Sequence, residues 1–197
     1  MATSVMSMIE EFGRQVEESA GPAVRQQVMR GSARATSGLE PTSLWVRGAV
    51  ERLERLAGEQ TAIAVMEACG ANCARVNHGL IARAKARRAR HASEEAFLAA
   101  EADDPEGGTR LEQDGHVLYQ TYTPRTYTQN MRCYCALLSD LPPDVALPGT
   151  YCHCSKAFVR TFWEEVLERP VTVELLQSAV SGSDVCRFRI TPRSTAG

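Results

Sequence analysis

No stretch of the 197 residues approaches the roughly 20 consecutive apolar positions that a membrane span requires. The opening residues, MATSVMSMIEEFG, lack both a basic start and an apolar h-region. Neither a signal peptide nor a transit peptide is therefore expected, and the chain reads as cytoplasmic. An excess of one charge is also lacking. Lys and Arg number 22 against 24 Asp and Glu, for a net charge of -2, which argues against bulk binding to nucleic acid or an anionic membrane. There is no glycine-rich phosphate loop, no G-x-S-x-G and no H-E-x-x-H, so nucleotide-driven and serine-hydrolase chemistry lack their signatures. Internal repeats and low-complexity tracts are absent as well. What remains is an ordinary globular composition, 44% apolar and 23% charged, able to bury a sizeable core.

Cysteine is the unusual presence. Seven occur, and six fall into close pairs: Cys69 with Cys73, Cys133 with Cys135, and Cys152 with Cys154, leaving Cys186. In a chain with no export signal, an odd count works against a disulfide framework and favours metal or redox chemistry.

The pattern predicts an α+β architecture, N-terminal helices packed with a small antiparallel sheet and a C-terminal helix-hairpin unit. Residues 3–34 suit one or two short surface helices broken near Gly21-Pro22. Pro41-Thr42-Ser43 opens a helix closed by Gly58, and a longer helical run spans 59–90. The acidic, turn-rich segment ADDPEGGTRLEQDG marks a loop and divides a helical segment, 1–102, from a mixed α/β region, 103–197, the two together forming one compact unit. Strands are predicted over 116–122 and 127–137, a loop over 140–149, a helix over 155–168, and a hairpin whose strands carry Val171, Val173 and Leu175 opposite Cys186, Phe188 and Ile190.

Cys69 and Cys73, four apart on a helix, stack on one face. Cys133 and Cys135, two apart in extended chain, share a face. Cys152 and Cys154 stand just before a helix that Ser155 caps, where free N–H groups and the helix dipole favour thiolates. Any two pairs supply four thiolates, enough for a tetrahedral zinc or an iron-sulfur cluster, although the spacing fits no zinc-finger or ferredoxin pattern. Buried free thiols acting as small hydrophobes are the alternative. The basic run from Arg83 to Arg90 is expected to face the acidic residues from Glu94 to Asp104. Phe158, Phe162, Trp163, Phe188 and Tyr119 line a ligand pocket between helix and sheet or simply fill the core.

From Tyr151 to Ile190 the sequence YCHCSKAFVRTFWEEVLERPVTVELLQSAVSGSDVCRFRI resembles the vinyl-4-reductase-like, or hydrocarbon-binding, domain. That resemblance implies a small-molecule sensor of aromatic effectors or a tetrapyrrole-related protein. It also implies zinc held by a cysteine before the helix, a glutamate on the first strand and cysteines near the final turn. Cys152 or Cys154, Glu174 and Cys186 take those places here. Gln177-Ser178 stands where the family often has a further cysteine. The Cys-bearing helix, C-x-C, Y-C-x-C-S and hairpin are also similar to aminothiazoline-carboxylate hydrolase-like proteins, implying metal-assisted opening of a C–N or C–S bond.

The expectation is thus a metal-thiolate, small-molecule-binding or sensing domain. Cys69, Cys73, Cys133, Cys135, Cys152, Cys154 and Cys186 are the candidate ligands and zinc the metal. The alternatives are an iron-sulfur protein and a metal-dependent hydrolase in which Glu174 or His116 serves as base. The expected partner is a small-molecule ligand, not a membrane or nucleic acid, and homodimerisation is left open.

Overall fold

The computed structural model describes residues 4–103, 109–122 and 132–193. It is an α+β fold in which, among those residues, eight α-helices accompany one four-stranded antiparallel sheet. Helix α1, Val5–Ala20, begins at Ser4, whose hydroxyl accepts the Ser7 N–H, and buries Ile9, Phe12 and Val16 at helical spacing. That buried stripe makes α1 part of the core, where a surface helix was expected. Gly21, at φ 85°, ends it, and Pro22 opens α2, Pro22–Val28. A short α3, Ser32–Thr36, leads to α4, Thr42–Ala57. Pro41 offers α4 no capping side chain. Its first free N–H groups, on Thr42 and Ser43, instead donate to the Asp140 carboxylate at 2.8 and 3.0 Å, which ties the distant 139–148 loop to this helix.

The long helical run of the sequence reading is two helices, α5, Glu59–Val76, and α6, His78–Arg88. At Asn77 the side-chain amide donates to the Cys73 carbonyl at 2.8 Å, competing with continued helix. Helix α7, Glu94–Asp103, follows, with Ser93 accepting from the Ala96 N–H. The acidic segment is not all loop. Thr109–Asp114 is strand β1, paired with β2, Val117–Tyr122. No regular strand occupies 132–137; residues 127–131 of that predicted strand lie outside the described residues, and Ala136–Leu138 forms a 3-10 turn. Helix α8, His153–Leu167, starts two residues earlier than predicted and follows a 3-10 turn at Gly149–Cys152. Strands β3, Val171–Gln177, and β4, Cys186–Pro192, form the expected hairpin, and the sheet order is β1-β2-β4-β3.

Two apolar clusters form, and each draws on both sides of residue 102. The first joins α1, α2, α4 and α5 to Leu138, Leu141, Leu147, Tyr151, Cys152 and Val180. The second packs the end of α5 with α6, α7 and α8 against the inner sheet face, where Leu118, Phe188 and Ile190 are fully buried. Trp163 and Phe188 belong to this second cluster, and the Trp163 Nε1–H donates to Gln120 Oε1 at 2.6 Å. Trp163 and Phe188 are therefore core, Phe158 and Phe162 pack against them partly buried, and Tyr119 lies outside the cluster beneath the Arg187 guanidinium. Arg87 pairs with Glu101 at 2.6 Å, as the charge pattern of α6 and α7 predicts.

Helices α5 and α8 hold the clusters together. A Cβ at Gly70 would lie 2.0 Å from the Cys154 carbonyl oxygen, so this crossing admits no side chain.

Candidate functional site

The α5–α8 crossing sets one wall of a cavity of about 580 Å³ in the first cluster. Cys69 and Cys73, one turn apart on α5, face into it, as their spacing requires. Helix α1 contributes Met8 and Phe12, helix α4 contributes Trp45, Val46 and Val50, and Met66 comes from α5. Cys135, Tyr151 and Cys154 complete the wall from the second half of the chain. Six lining residues thus carry sulfur, and the wall is predominantly apolar. Among the described residues no lysine, arginine or histidine lines it.

Arg132 explains how Cys135 gets there. Its buried guanidinium donates to the carbonyls of Pro142, at 3.1 Å, of Val145, and of Ala179, at 3.1 Å. With the Pro143 carbonyl at 3.4 Å, one side chain thereby serves four carbonyls and pins the non-strand segment that carries Cys133 and Cys135. The Tyr151 hydroxyl donates to Cys135 Sγ at 3.5 Å.

The polar groups of the wall are mostly engaged. Glu11, which lines the cavity, accepts from Arg14 at 2.6 and 2.9 Å and from Gln15 at 2.9 Å. The Arg14 hydrogen bond holds its carboxyl below the usual range. Ser4 and Ser7 bond to each other. Asn72 also lines the wall, and among the described residues its side-chain amide has no hydrogen-bond partner. Burial, followed by the negative charge of Glu11, pushes the Cys69 thiol up to about 12. Burial also raises Cys73, Cys133, Cys135 and Cys154. The wall thiols are therefore neutral. Thiolates favoured by the start of α8 were expected at Cys152 and Cys154. Desolvation outweighs the helix terminus there, raising Cys154 and pushing Cys152 up to about 11.

The seven cysteines do not form one cluster. Cys69, Cys73, Cys135 and Cys154 line the cavity wall together. Cys152 turns away from it, its sulfur 2.8 Å from Ser178 Oγ, and Cys186 accepts from the Ala179 N–H at 3.4 Å. Glu174 sits on the exposed face of β3, 3.3 Å from Arg189, and His116 is exposed at the β1–β2 turn. Neither lines the cavity.

Fold and site together define an α+β protein with a partly open, thiol-lined apolar cavity. The chain belongs to DUF6144, a family of unknown function, whose pattern matches residues 6–196. No curated protein matches it. Among solved structures it is similar to an H-NOX protein from S. oneidensis in the Fe(II)NO ligation state. The identity is 9% and the TM-score 0.45, over 95% of this chain and 98% of that one. A score below 0.5 does not establish a shared fold.

The zinc-thiolate reading is corrected by this geometry. Among the described residues no group of three or more His, Cys, Asp or Glu side chains is placed to hold a metal ion. The extended Cys133/Cys135 clip does not form because the segment is an Arg132-anchored loop, and Cys152 and Cys186 are spent on hydrogen bonds beside Ser178. The iron-sulfur alternative and the metal-dependent hydrolase fall with it.

Sequence reasoning missed Trp45, Met8, Met66 and Tyr151. The one available signal was the apolar stripe of α1, which needs a partner surface and meets it in α4 and α5.

Proposed function

We propose that this protein binds a neutral, apolar small molecule in the cavity between α1, α4, α5 and the start of α8. The observation that carries this reading is the wall itself, an apolar, sulfur-rich concave surface around a space whose volume falls within the range of ligand sites. An anionic ligand would be desolvated there with no cation to meet it, and a cationic one would find Glu11 already occupied by Arg14 and Gln15. Polarizable thiol and thioether sulfurs favour ring-bearing ligands by about 0.3–1.5 kcal/mol per contact. The resemblance of residues 151–190 to hydrocarbon-binding domains runs in the same direction. Asn72 supplies a hydrogen bond for one weakly polar substituent.

Trp45 lines the cavity while Trp163 is buried in the other cluster, so fluorescence separates the site from the rest of the molecule. Nitrobenzene, a neutral aromatic quencher, is expected to produce a saturable loss of emission that disappears in Trp45→Phe and persists in Trp163→Phe. Quenching that is only collisional, or that survives Trp45→Phe, refutes the reading.

A further inference from the structure

The α5–α8 crossing also brings two thiols together. A Cβ at Gly70 would stand 2.9 Å from Cys154 Cα, so the two backbones touch. Cys69 adjoins Gly70 in the chain, and the side chains of Cys69 and Cys154 face the same cavity. A disulfide requires Cα atoms roughly 4.4–6.8 Å apart and side chains directed toward each other. A backbone contact one residue away brings the two Cα atoms near that range, and both residues line the same cavity. Both thiols are free.

We propose that Cys69 and Cys154 are a redox pair, oxidised to a cross-helix disulfide by a small neutral hydroperoxide that enters the cavity. The sulfur of one thiol attacks a peroxide oxygen and the O–O bond breaks. The departing hydroxide leaves as water with the thiol proton, and a sulfenic acid remains. The second sulfur then attacks that sulfur, the S–S bond forms, and the hydroxyl leaves as a second water with the second proton. Two thiols lose two electrons in all, and one hydrogen peroxide becomes two waters. A bulky, charged oxidant such as glutathione disulfide is disfavoured by the apolar wall. Burial holds both thiols neutral, so the reaction is slow near pH 7 and quickens as pH rises. The bond locks α5 to α8 where they form the cavity wall. Resting on the ligand reading above, it reduces the space available to a bound molecule and makes occupancy sensitive to oxidant.

The test treats the full-length protein with hydrogen peroxide and follows intact mass and fragment maps by tandem mass spectrometry. The expected result is loss of two hydrogens, reversed by dithiothreitol, with a Cys69–Cys154 cross-linked fragment. That loss disappears in Cys69→Ala and remains in Cys73→Ala. A link mapped to another pair, or oxidation with no link, overturns the proposal. The wild-type map decides this even where a variant fails to fold. Nitrobenzene then separates the two readings. Linked protein should bind it about tenfold more weakly than reduced protein. A link that leaves nitrobenzene affinity unchanged overturns the control of occupancy alone, whereas reduced protein that binds none counts against the ligand reading and not against the pair.

Discussion

The two apolar clusters are built from similar residues and end differently. The second closes completely, with Phe97, Leu118, Phe188 and Ile190 inaccessible and Trp163 bonded to Gln120. The first buries Val16, Leu53 and Val65 just as deeply, yet its side facing α1 holds a partly open cavity lined by partly buried cysteines. Close packing is the rule for protein interiors, and an apolar void forfeits the contacts its lining would otherwise make. The proposed binding site belongs to the helical cluster alone.

The largest expected break lies at the crossing both clusters share. Gly70→Ala places a methyl group against the Cys154 carbonyl, and backbone cannot yield as a flexible side chain does. It should cost about 3 kcal/mol or more in urea unfolding and lower stability and ligand binding together. Phe188→Ala, in the closed cluster, should cost about 3–5 kcal/mol while leaving nitrobenzene affinity of the folded protein unchanged. Val76→Phe gives the converse. This residue is exposed at the cavity rim, so it should leave stability within about 0.5 kcal/mol and weaken binding about tenfold.

Alkaline pH sharpens the comparison further. Thiols raised in the folded state stay protonated while those of the unfolded chain ionise, so their contribution is fully present below about pH 8.5 and is lost as pH rises. With Cys152 pushed up to about 11 and Cys69 to about 12, stability should fall from about pH 9 toward 12. Each such thiol contributes at most about 1.4 kcal/mol per pH unit. Urea midpoints measured across that range check the slope, and Cys69→Ala should flatten it. The smallest effect belongs to Glu174→Ala, which removes an exposed pair with Arg189 and should change stability by about 0–1 kcal/mol and binding not at all.

Legibility in the sequence followed the range of the interactions. Helix α4 and the β3–β4 hairpin were readable because Pro41, Gly58, Gly182 and the alternation of Val171, Val173, Phe188 and Ile190 act locally. The shared face of Cys69 and Cys73 was readable for the same reason. Strand β1 was not, since TRLEQD is a polar edge strand whose identity comes from pairing with β2. The Cys133–Cys135 segment was misread as a strand because Arg132 reaches carbonyls ten to 47 residues away, and such anchoring leaves no periodic trace. The cavity was invisible for a related reason: it is space left between α1, α4 and α5, set by how helices distant in the chain cross.

Isothermal titration calorimetry of the reduced protein with nitrobenzene and with 4-nitrobenzoate tests the claim of a neutral-ligand cavity most directly. The account predicts saturable one-to-one binding of nitrobenzene and affinity for the carboxylate at least about tenfold weaker. Absence of nitrobenzene binding, or equal affinity for the anion, would contradict it.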